Sequence, residues 1–104
     1  MTTDPRIKML ISYDVTPELQ QAYYEFVLGE LIPTAQSMGL SLSEAWHTAY
    51  GNYPIRLNGF VAHDREALDR VLASTEWIQL ENKLKRFVTG YQRKIVPYRD
   101  GFQF

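Results

Sequence analysis

The residues best suited to chemistry gather in one stretch of the chain. His47 can accept a proton near neutral pH. Asn58 offers an amide that can hydrogen-bond an oxyanion, Arg56 a fixed positive charge and Phe60 an aromatic wall. Such a set binds and deprotonates an acidic phenol or enol: the base takes the proton while the amide and the cation hold the anion. Ser12, Asp14 and Tyr98 are the further candidates for contact with a small apolar ligand. The competing interpretation of the same residues is a polar patch at a subunit interface, with His47 satisfied by a carbonyl. His63, the other histidine, stands beside Asp64, but there is no H-x-H, no H-x-x-x-H and no cluster of carboxylates, so no metal site is expected. The absence of cysteine excludes disulfides, Cys-based zinc sites and thiol catalysis. With no G-x-G-x-x-G, Walker loop or G-x-S-x-G, nucleotide binding and triad hydrolysis are not expected either.

The candidate residues must be positioned by strands. Residues 7–15 alternate, with Met9, Ile11, Tyr13 and Val15 on one face and Lys8, Leu10, Ser12 and Asp14 on the other. Thr16-Pro17-Glu18 supplies a cap, a helix-compatible proline and an acid at the positive end of a helix dipole. That helix is expected over 17–38, kinked or broken where Pro33 cannot bond the Gly29 carbonyl, and stopped by Gly39. Residues 40–50 and 55–63 form a hairpin around Gly51-Asn52-Tyr53-Pro54. Its expected register pairs His47 with Asn58, and Trp46 with Gly59. Trp46 and Tyr50 then face the helices, while His47, Arg56, Asn58 and Phe60 face away. A one-residue slip exchanges the two faces. Asp64 caps a second helix, which Ser74-Thr75-Glu76 interrupts with a fresh cap. Trp77, Leu80, Leu84, Phe87 and Val88 continue its apolar stripe, Glu81 and Lys85 pair across one turn, and Gly90 ends it. Residues 91–98 form the last strand.

The order β-α-β-β-α-β predicts an α+β, ferredoxin-like fold: a four-stranded antiparallel sheet with two helices on one face, in a single domain spanning 1–104. One face of such a sheet is left uncovered, and the expected Leu10 and Phe60 there call for a partner. A homodimer through the sheet faces is the natural inference. The charge balance, 11 basic against 12 acidic residues, carries no basic footprint for nucleic acid and no polybasic membrane anchor. The first residues, MTTDPRIK, have no apolar signal region, and the default expectation is a cytoplasmic protein. At 13%, the aromatic content exceeds what one small core needs. Phe60, Tyr98, Phe102 and Phe104 are the surplus assigned to a cavity or a dimer seam, with the C-terminal phenylalanines docking on the protein surface.

Gly39, Trp46 and Gly51, the apolar strand ending at Asp64, Arg70, and the run of Leu72, Ser74, Thr75 and Trp77 resemble the dimeric α+β barrel superfamily, and within it the NIPSNAP-like proteins. The resemblance implies a dimer with a ligand-sized cleft. It also implies chemistry of the kind performed by that superfamily's cofactor-free monooxygenases, in which a deprotonated substrate reacts directly with oxygen. In such a monooxygenase-like or isomerase-like enzyme, His47 is the base and Asn58 and Arg56 stabilise the anion. The alternative is a non-enzymatic small-molecule-binding or protein-interaction dimer. Haem is not implied: the axial histidine of the haem-degrading branch aligns with Glu81, and that branch's tryptophan near the end of the third strand aligns with Ala62. No cofactor is expected.

Overall fold

The structure, a computed structural model, describes residues 4–50 and 53–99, and the backbone only for 44–50 and 53–57. Strands β1 (Ile7–Val15), β2 (Ser41–Tyr50), β3 (Tyr53–Ala62) and β4 (Val88–Pro97) form one sheet in the order β2-β3-β1-β4, antiparallel throughout. Four helices cross over it: α1 (Gln20–Phe26), α2 (Ile32–Ser37), α3 (Arg65–Ala73) and α4 (Thr75–Leu84). The expected α+β, ferredoxin-like arrangement is what forms. None of these helices is long and apolar enough to cross a membrane.

Local chemistry explains most boundaries. Pro17 opens a 3₁₀ turn, Pro17–Leu19, in which the Leu19 N–H bonds the Thr16 carbonyl at 2.9 Å; the Thr16 side chain makes no cap, contrary to expectation. Between α1 and α2 lies a π-helical turn, Val27–Leu31. Pro33 would press its ring against the carbonyl four residues back, and the wider turn just before it relieves the α-helical register. The predicted break is therefore a widening, and the helical path continues to Ser37. Gly39 (φ 94°) ends it: the Gly39 N–H bonds Gln36 O at 3.1 Å and the Leu40 N–H bonds Ala35 O at 3.0 Å, the paired bonds of a Schellman ending. Asp64 accepts from the Ala67 N–H at 2.7 Å and Ser74 from the Trp77 N–H at 3.2 Å, so both expected caps form.

Gly90 does something other than stop a helix. α4 ends at Leu84, the chain turns through Phe87, and β4 has already begun at Val88. Gly90 sits inside that strand at φ 65°, where Gly90 and Tyr91 together oppose Tyr13 and the register with β1 shifts. This is a bulge whose first residue needs the left-handed conformation that glycine adopts freely. Glu81 likewise does not pair with Lys85; its carboxylate accepts from Tyr91 and Arg93.

One layer between sheet and helices holds the core. Met9, Ile11, Tyr13 and Val15 of β1 pack with Phe60 and Ala62 of β3, with Tyr23, Phe26, Val27, Leu31 and Ala35 of the first crossover, and with Leu68, Val71, Trp77, Leu80 and Leu84 of the second. This corrects the face assigned to Phe60. It pairs directly with Met9, and paired residues of an antiparallel ladder share a face. Phe60 is 0% exposed, under the helices and not on the open side. Leu10 does lie on the other face, at 4% exposure. The expectations that Trp46 and Tyr50 join the core and that Phe102 and Phe104 dock fall on side chains or residues outside those described.

Candidate functional site

The hairpin register brings His47 opposite Arg56, and Ala45 opposite Asn58, so the expected His47–Asn58 pairing is shifted by two residues. The turn causes the shift: Tyr50 pairs with Tyr53, which closes it more tightly than the expected four-residue connection, and that register holds as far as Glu44 opposite Gly59. Beyond these pairs, Ser43 forms a bulge in β2 and donates to the Gly59 carbonyl at 3.2 Å. Arg56 also pairs with Tyr13 on its other side. Tyr13, Arg56 and His47 thus occupy one rung across β1, β3 and β2, with Asn58 on the rung of Ile11.

Asn58 is buried, and its amide nitrogen donates to the Tyr13 hydroxyl at 2.6 Å. The Tyr13 hydroxyl meets that of Tyr23, on α1, at 2.5 Å. A chain of amide and two hydroxyls therefore runs from the sheet to the helix inside an apolar layer. Buried polar groups of this kind must be paired, because an unmatched one costs about 1–3 kcal/mol. Tyr13 and Tyr23 are the functional candidates that reading the sequence missed. The signal was available: Asn58 shares a face with Phe60 in a central strand and needs a partner, and Tyr13 already lay on the apolar face of β1.

A second polar group adjoins the first. The Tyr13 ring stacks on Tyr91, with centroids 6.4 Å apart and planes 16° from parallel. The Tyr91 hydroxyl donates to Glu81 Oε2 at 2.7 Å, and Arg93 Nη1 donates to the same oxygen at 2.7 Å. Burial, and then the carboxylate that its hydroxyl already serves, push the ionisation of Tyr91 above the ordinary tyrosine range. Since its folded value lies above the unfolded value of about 10, the stabilisation from keeping it protonated is complete below that pH and declines as pH rises above it. An ultraviolet phenolate titration is expected to show Tyr91 among the tyrosines that ionise only above the ordinary range or with alkaline unfolding, and Tyr91→Phe should reduce that late step by one phenolate.

The remaining expected ligand contacts are not brought to this place. Ser12 and Asp14, both half-buried, alternate with Tyr13 and so lie on the face away from the helices. Tyr98 lies past the end of β4, where its N–H bonds the Arg6 carbonyl at 3.1 Å; the Arg6 guanidinium stands 4.2 Å from its ring centre and Lys8 Nζ 5.6 Å. The predicted constellation is thus divided between the two sides of the sheet. Among the described residues, no group of three or more His, Asp or Glu side chains could hold a metal ion. An open groove of about 490 Å³ lies over Met38, Val71 and Ser74 on the helical surface and contains none of the candidate residues.

No family model matches this sequence, and no curated protein matches it. Solved structures do match. A NIPSNAP-like domain protein from Burkholderia xenovorans superposes with a TM-score of 0.70 at 19% identity, over 96% of this chain and 90% of its own. A NIPSNAP family protein from Agrobacterium tumefaciens superposes with a TM-score of 0.68 at 18% identity, over 96% and 91%. The chain has the NIPSNAP fold. A third protein of this fold, from Bacteroides thetaiotaomicron, is described as of unknown function and a possible oxidoreductase; it matches with a TM-score of 0.70 at 8% identity, over 92% of this chain and 100% of its own. At these identities the NIPSNAP likeness covers architecture, and the chemistry must be argued from residues.

Proposed function

We propose that this protein is a NIPSNAP-like, cofactor-independent enzyme that acts on a small apolar ionisable compound of the phenol or enol class. The observation that carries this reading is the polar chain Asn58–Tyr13–Tyr23 inside the helix–sheet layer, with Tyr13 on the backbone rung of His47 and Arg56. His47 is the base, and Arg56 with the Asn58 amide holds the resulting oxyanion. An amide nitrogen carries two hydrogens, and the bond to Tyr13 takes one of them. In a monooxygenase-type turnover, a phenol with a free ring position gives its hydroxyl proton to His47, and the phenolate then reacts with oxygen. The ring gains one oxygen atom as a quinone carbonyl, and the other leaves as water. The Bacteroides protein described as a possible oxidoreductase is consistent with this reaction class. Oxygen uptake with a panel of naphthols tests it. His47→Ala should lower turnover about a hundredfold or more, and unchanged turnover would remove His47 from the chemistry.

A second reading is a non-enzymatic binding dimer. It is favoured by the fact that Asn58 and Tyr13 are buried and already satisfy one another. Naphthol binding without oxygen uptake or isomerisation by the wild-type protein would select it.

Both readings place two copies sheet to sheet. The face away from the helices carries Leu10 with half-buried Val61 and Val96, which pair with Lys8 on either side. Sedimentation at micromolar concentration should give a dimer mass, and a monomer would contradict this use of the sheet.

A further inference from the structure

We propose that the indole N–H of Trp77 is a hydrogen-bond donor to an oxygen of the bound compound, a specificity contact for acceptor-bearing apolar ligands; this rests on the binding reading above. Trp77 is 1% exposed, and its Nε1 is a buried side-chain donor with no acceptor. Its position is fixed from the backbone: the Ser74 hydroxyl holds the Trp77 N–H at 3.2 Å while donating to Val71 O at 2.6 Å, and the ring belongs to the core layer. A donor so placed costs about 1–3 kcal/mol if nothing ever meets it.

The surroundings narrow what can meet it. An interior water needs two to four polar partners. Other polar side chains in or against that layer among the described residues are already engaged: Asn58 with Tyr13, Tyr13 with Tyr23, and Tyr91 with Glu81. A water at Nε1 would therefore have little else to hold it. An apolar compound with one carbonyl, phenol or phenolate oxygen suits the site better, since the side chains around the indole are apolar and the oxygen gives the indole its acceptor. The same layer then contributes two kinds of contact: an amide–hydroxyl chain on the sheet side and a lone donor on α4.

The test follows the two indole N–H resonances of the nitrogen-15-labelled wild-type protein during titration with 2-naphthol, with Trp46→Phe used to assign them. The expected result is that the Trp77 resonance shifts downfield with the same midpoint as binding measured by calorimetry. Trp77→Phe, which keeps an aromatic ring and loses the donor, should weaken 2-naphthol about tenfold. Naphthalene, which has no acceptor, should lose little. A Trp77 resonance that stays put while 2-naphthol binds overturns the inference and leaves the binding site standing. So does a resonance already in the hydrogen-bonded range without ligand, which would mean that a water holds the donor. If 2-naphthol does not bind at all, the inference falls together with the reading it rests on. Should Trp77→Phe fail to fold, the wild-type titration decides alone.

Discussion

Phe60→Ala is expected to lower the unfolding free energy by about 3–5 kcal/mol, the range for removing a large side chain from a packed core. The ring is fully buried between the central strand β3 and the helices, and its neighbours Met9 and Ile11 are equally buried, so little can collapse into the space. For a domain of this size that is a large part of a total of about 5–15 kcal/mol. Urea denaturation measures it. A loss well under about 1 kcal/mol, the range of an exposed position, would contradict the burial of the ring.

The second large effect is expected at Asn58. Asn58→Ala should cost about 1–3 kcal/mol, because the amide is buried and donates to Tyr13. The more informative measurement is a double-mutant cycle with Tyr13→Phe. The two groups share one hydrogen bond, so their losses should not add; a coupling of about 0.5–3 kcal/mol is expected for residues in one network. Strict additivity would mean that the amide and the hydroxyl act independently. The same Asn58→Ala protein should bind 2-naphthol more weakly than wild type, which separates a ligand contact from a merely structural bond.

These two residues also show how far the sequence could be read. Asp64, Ser74 and Gly39 were legible because a cap or a left-handed stop is local chemistry: a side chain and the next few N–H groups decide it. The order of strands and helices was legible for the same reason. The orientation of β3 was not. Phe60 and Ala62 on one face and Ile55, Leu57 and Val61 on the other are all apolar, as befits a central strand, so alternation alone offers no choice. Only the pairing with β1, a contact between residues some fifty positions apart, puts Phe60 beside Met9. The expected hairpin register set Gly51 opposite Pro54, and the closer pairing of Tyr50 with Tyr53 moved it by two residues, which puts Trp46 opposite Leu57 and not Gly59. At Gly90 the need for an unusual backbone was readable, but whether a helix end or a strand bulge used it was not. Of the candidate site, Asn58, Arg56 and His47 were found as residue types; their arrangement across three strands, and the tyrosines that complete it, are products of the tertiary pairing.

Ligand binding on the helix side of the sheet, around Asn58 and Tyr13, is tested most directly by the intermolecular nuclear Overhauser contacts between bound 2-naphthol and the protein. Contacts from the naphthol ring to the Asn58 side-chain amide and the Tyr13 ring are predicted. Contacts confined to Lys8, Leu10 and Ser12, on the opposite face, would contradict it.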